Sequence, residues 1–206
     1  MKTAIALAAC LAAGAPGIAA AATFAGGWTV SYNTADPGLV VDVAPEAGGG
    51  TTPNLEVGDS YTFNLFRIWT NETSVNAHED EAPKPISVSF NFTDPVMGGV
   101  AQGVTSGQRV LGGLIQKGKL TWDGPLELSF GKNGTGRLSV SLADATFNEG
   151  LFGLKPGFRH GAGVEATVRY DAAPVPVPAA LPLLAAGLGA LGFAARRRKP
   201  APAVAA

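Results

Sequence analysis

Four residues able to bind a cation stand in one turn, His78-Glu79-Asp80-Glu81, within the longest polar stretch of the chain, Asn71 to Pro85. Carboxylate oxygens are the ligands that calcium takes. Calcium loops, however, space their ligands around a glycine turn, and this stretch has no such pattern. His78 is not part of an H-E-x-x-H zinc helix either, because position 82 is Ala. The segment therefore reads as a solvated loop between strands, and no metal is assigned. His160, in Gly157-Phe158-Arg159-His160-Gly161, lies at the mouth of the last hairpin or strand, with neither Cys nor a second His near it. One Cys and two His offer almost nothing from which to build a nucleophilic triad, so no catalytic residue and no cofactor is assigned and the chain reads as a non-enzyme. Gly98 to Gly113 is glycine-rich, but Gly-Lys-Ser/Thr occurs nowhere, which excludes a P-loop. That segment reads as a connection holding one short strand.

Trp28, Trp69 and Trp122 have faces on which a sugar could stack. Trp28 and Trp122 lie on the apolar phase of their segments and read as core. Trp69 falls off the phase of Phe66 and Ile68, which makes it the exposed aromatic and the candidate ligand-binding residue.

The elements that must carry these side chains are strands. Ile86-Val88-Phe90-Phe92 alternates with Ser87-Ser89-Asn91-Thr93, and the same period of two runs through Trp28 to Tyr32, Leu126 to Phe130, Leu138 to Leu142 and Val164 to Tyr170. Leu39 to Val43, Lys119 to Trp122 and Thr146-Phe147 are shorter candidates. In Tyr61-Phe63-Leu65 the phase changes at Phe66, which predicts a β-bulge near Leu65–Phe66. Asn133-Gly134 is the strongest hairpin signal, because both positions accept positive φ. Eight to ten short strands separated by turns predict an all-β fold, a single antiparallel β-sandwich of jelly-roll-like type over 23–171.

Across the 206 residues, 46% are apolar and 15% charged, which excludes disorder of the polar, highly charged kind. The net charge of −1 leaves no basic excess for nucleic acid. It hides an asymmetry: 23–171 holds ten basic and all sixteen acidic residues, a net −6, balanced by basic residues at the ends.

The N-terminus has the three parts of a secretory signal peptide over 1–22: Lys2, the apolar run Thr3 to Ala13, and small residues from Ala19 to Ala22 after helix-breaking Gly14, Pro16 and Gly17. Cleavage is expected between Ala22 and Thr23, with cleavage after Ala21 the close alternative. Leu7-Ala8-Ala9-Cys10 resembles a lipobox, but only about seven apolar residues precede Cys10, at the bottom of the range for such a run. Loss of the signal peptide would leave no cysteine in the mature chain.

At the other end, Pro174, Pro176 and Pro178 make a stiff linker over 172–179. Val177 to Ala195 carries no charge and would span roughly 28 Å as a helix, enough for a transmembrane segment over 177–195. Arg196, Arg197, Arg198 and Lys199 open a basic tail over 196–206 that would stay cytoplasmic and leave the domain outside. Val175-Pro176-Val177-Pro178-Ala179, the apolar run and the basic cluster together resemble the PEP-CTERM class of sorting signals, in its VPLPA-CTERM variant. Two features depart from that pattern: Val177 stands where the motif has Leu, and Pro200 to Ala206 trail the basic cluster. The resemblance covers about 30 residues. It implies a Gram-negative exported protein, handled by the export machinery and an exosortase-type membrane peptidase, held in the membrane by its C-terminal helix and destined for the cell surface or extracellular matrix. Exopolysaccharide is a candidate partner. The alternative is a carbohydrate-binding or carbohydrate-degrading sandwich anchored at the surface.

Overall fold

Ten strands form in the computed structural model, which describes residues 21–46, 50–175, 187–189, 191 and 193. They are β1 (Ala25–Ser31), β2 (Asp42–Pro45), β3 (Ser60–Trp69), β4 (Lys84–Asp94), β5 (Val96–Val110), β6 (Ile115–Trp122), β7 (Leu126–Phe130), β8 (Gly136–Leu142), β9 (Ala145–Leu151) and β10 (Ala162–Ala172). Two five-stranded antiparallel sheets result, in the orders β1-β4-β5-β6-β9 and β2-β3-β10-β8-β7. The apolar phases of both sheets meet in one core. Phe24 packs edge-on against Phe130 and Tyr170, and Trp28 on β1 lies 6.0 Å from Phe66 on β3. Trp122 is buried, as its phase predicts, with its indole N–H donating to Ala143 O at 3.2 Å.

Local signals translate directly into local geometry. Asn133 and Gly134 both take positive φ, 64° and 62°, between the paired strands β7 and β8. The register of β3 against β10 slips between Val164 and Glu165, whose partners are Phe66 and Asn64. Leu65 is therefore the extra residue. Leu65 and Phe66 are both buried, and beyond the bulge Arg67 and Trp69 share the less buried face.

Two expectations are corrected. The glycine-rich segment is not a connection with one short strand but β5, fifteen residues long. Its glycines mark close approaches: a Cβ on Gly103 would stand 2.7 Å from the Trp122 ring, and one on Gly107 2.7 Å from Val75. The wiring is also not jelly-roll-like. β4, β5 and β6 are consecutive in sequence and adjacent in one sheet, a meander that two interleaved Greek keys do not contain.

Residues 175–206 form a separate unit. The transmembrane helix expected over 177–195 is not found: among the described residues no helix is long and apolar enough to cross a membrane. Gly187–Gly189, Leu191 and Phe193 are helical and exposed. The other positions of 177–195 lie outside the described residues. Pro176 to Ala179, Arg196 to Lys199 and the signal-peptide residues 1–20 lie outside the described residues.

Candidate functional site

Beyond Trp69 the chain leaves its sheet in a loop that the rest of the fold holds in place. Asn148, fully buried with φ 53°, clamps the start of it. The Thr70 N–H donates to Asn148 Oδ1 at 2.9 Å, and Asn148 Nδ2 donates to the carbonyls of Thr70 (3.2 Å), Lys155 and Gly157 (3.2 Å). Further on, the Val75 N–H donates to Gln116 Oε1 at 2.6 Å, and the Gly107 N–H to Asp80 O at 2.7 Å. A second loop, between β1 and β2, folds over the first. Asn33 Nδ2 donates to the carbonyls of Gly38 and Leu39, each at 3.1 Å, and the Val40 N–H donates to Glu72 Oε1 at 2.7 Å.

This scaffold converges three carboxylates. Asp36, Glu72 and Asp80 each place an oxygen within 4.8 Å of the others. Asp36 is exposed, Glu72 half-buried and Asp80 fully buried. Asp80 Oδ2 accepts from the Asn76 N–H at 2.6 Å, whereas Oδ1 has no hydrogen-bond partner. Neither ion pair among the described residues, Arg67–Glu46 and Arg169–Asp171, involves these acids. Asp36 and Glu72 also line an open cleft of about 520 Å³ beside the cluster.

Burial pushes the Glu72 carboxyl from an ordinary 4.5 up to about 7. The Val40 N–H pulls it down, while the charge of Asp80, a hydrogen bond shared with the Asp80 carboxylate and the charge of Asp36 push it up further. The folded chain therefore holds this proton more tightly than the unfolded chain between those two values. Stability must fall as pH rises through that window and level off above it. We expect the melting temperature, measured with chelator present, to drop between pH 5 and pH 8, and Glu72→Gln to flatten the drop. A wild-type profile that rises over this range would contradict the buried environment of Glu72.

The four residues of the turn His78-Glu79-Asp80-Glu81 do not converge, in keeping with the absence of a calcium-loop pattern there. His78 is exposed with φ 71°, Glu79 is half-buried and Glu81 exposed; only Asp80 reaches the cluster. Asp80 is also no solvated charge, which corrects the reading of that turn as wholly exposed. Glu72 lies eight positions before Asp80 in the same polar stretch, whereas Asp36 carries no local signal, because it reaches Asp80 across 44 positions of chain. His160 is exposed in a short 3-10 turn, Phe158–His160.

Trp69 is half-buried. Its ring and that of Phe158 meet in a T-shaped pair, centroids 5.1 Å apart, and Arg67 stacks on Phe158 at 5.0 Å. Arg67 also donates to the carbonyls of Phe158 and Gly161, each at 3.0 Å. At the N-terminal junction, Ala22 and Leu55 exchange two hydrogen bonds of 2.8 Å, while Thr23 is exposed. Cleavage after Ala21 would keep that bridge in the mature domain, and cleavage after Ala22 would remove it.

Taken together, the sheets and the tail define an all-β domain with a C-terminal sorting signal appended. Residues 174–199 match the family model of the PEP-CTERM protein-sorting motif, so the chain carries a PEP-CTERM sorting tail. That motif implies export and processing by an exosortase, a membrane peptidase. No match was found among curated proteins or among solved structures.

Proposed function

We propose that this protein is a non-enzymatic component of the cell surface or extracellular matrix of a Gram-negative envelope. It is exported through its N-terminal signal peptide and delivered by its tail. The observation that carries this reading is the PEP-CTERM match over 174–199, because such a motif marks a substrate of the processing enzyme. The exosortase reads Val175-Pro176-Val177-Pro178-Ala179, with the apolar run and Arg196-Arg197-Arg198-Lys199 holding the precursor in the membrane until processing. The domain over 23–171, with its net −6, is then the part that remains in the surface layer. A charge of that sign favours a hydrated matrix, and anionic polysaccharide would meet it through bridging cations. The test is to follow the protein in its producer with and without the exosortase gene. Surface delivery that depends on the exosortase supports the reading; unchanged delivery and an unchanged mature mass overturn it.

A further inference from the structure

We propose that Asp36, Glu72 and Asp80 form a divalent-cation site, with calcium as the ion, that ties the β1–β2 loop to the loop after β3. This goes beyond the sorting reading and does not depend on it. Two independent observations carry it. The first is convergence: three carboxylates from two loops place oxygens within 4.8 Å of one another. Calcium holds its oxygen ligands at about 2.3–2.6 Å, so ligands on opposite sides of one ion stand roughly 4.6–5.2 Å apart. Three oxygens no farther apart than 4.8 Å share a point within about 2.8 Å of each, so a side-chain adjustment of a few tenths of an ångström lets all three touch such an ion. Magnesium, at about 2.0–2.1 Å and octahedral, asks for a tighter set and gives up its waters reluctantly.

The second observation is Asp80 itself. Its side chain is fully buried, yet Oδ1 has no hydrogen-bond partner. A buried acceptor left unmade is costly, and a buried charge more so unless it is paired or coordinates a metal. Asp80 is also held rigidly: its N–H donates to Asn76 O, its carbonyl accepts from Gly107, and Oδ2 accepts from Asn76. The fold thus fixes Asp80, one of whose buried oxygens no N–H reaches, beside two further carboxylates. Among the described residues, none of the three acids is in an ion pair that would neutralise it. A cation between them supplies the missing partner and cancels their mutual repulsion. Exposed Asp36 and the adjoining cleft leave a path from solvent.

The test is calorimetric titration of the full chain, purified in detergent, with calcium chloride and then magnesium chloride. We expect one calcium per chain, magnesium at least tenfold weaker, and a melting temperature higher by several degrees in saturating calcium. Asp80→Asn should abolish binding. Because Asp80 is buried and that variant could misfold, Asp36→Asn is the second arm: this exposed residue should leave the circular dichroism spectrum unchanged while weakening calcium binding at least tenfold. Glu127→Gln, on β7, is the control and should bind as wild type. No uptake at 10 mM calcium, magnesium binding as tight as calcium, unchanged affinity in Asp36→Asn, or equal loss in Glu127→Gln would each overturn the assignment.

Discussion

Asn148→Ala is expected to unfold about 10 °C below the wild-type chain. Asn148 is fully buried, and its amide serves four backbone groups of two separate segments: the Thr70 N–H and the carbonyls of Thr70, Lys155 and Gly157. Alanine fills neither role, and each buried group left without a partner costs about 1–3 kcal/mol. Water reaching part of the site reduces the sum, so a loss of about 3–5 kcal/mol is expected. At about 2–4 °C per kcal/mol for a chain of this size, the shift follows. Part of it could arise from alanine at φ 53°, and a second variant removes that ambiguity. Asn148→Gly accepts positive φ without strain yet lacks the amide, so it should lose most of the same stability. A melting temperature within 2 °C of wild type in both variants would show that the amide clamp contributes nothing. The clamp also fixes the start of the loop that carries Glu72, so both variants should weaken calcium uptake.

Pro176→Ala with Pro178→Ala is expected to stop processing outright. Prolines alternating with small apolar residues hold the chain extended, and an extended segment is what a peptidase accepts in its cleft. Alanine removes that constraint and lets the neighbouring apolar run continue as helix through the motif. The uncharged run from Val177 to Ala195 keeps its length, so the precursor should still reach the membrane. The double variant should therefore accumulate as a membrane-bound species carrying Arg196 to Lys199. Wild-type protein should be released from, or held outside, the membrane without them. Mass spectrometry of the surface population decides this. Finding the intact Pro200–Ala206 end on most wild-type molecules would rule out removal of the tail and leave a simple anchor.

What could be read along the chain is what depends on near neighbours. Alternation with a period of two is a property of consecutive residues, so most strands were visible in it. The Leu65–Phe66 phase change became a bulge, and Asn133-Gly134 became a turn with both residues at positive φ. The sorting tail was legible for the same reason: proline motif, apolar run and basic cluster are contiguous, and a processing enzyme reads them in that order.

The misses all required knowing which strand lies beside which. Glycines in β5 looked like loop residues because their justification, the Trp122 ring against Gly103 and Val75 against Gly107, lies on other segments. The pairing of β3 with β10 joins Phe66 to Val164, nearly a hundred residues on, and alternation specifies which face is buried but not which neighbour covers it. The acid cluster shows the same division most clearly. Along the chain Asp80 stands out through its neighbours His78, Glu79 and Glu81, none of which joins it. Its actual companions, Asp36 and Glu72, come from another loop and from the far end of its own. Composition and spacing carry most of the strands and the destination tag, because both act through adjacent residues. The loop clamp at Asn148 and the grouping of three carboxylates were settled only by tertiary packing, which fixes the distances between residues that the order of the chain leaves far apart.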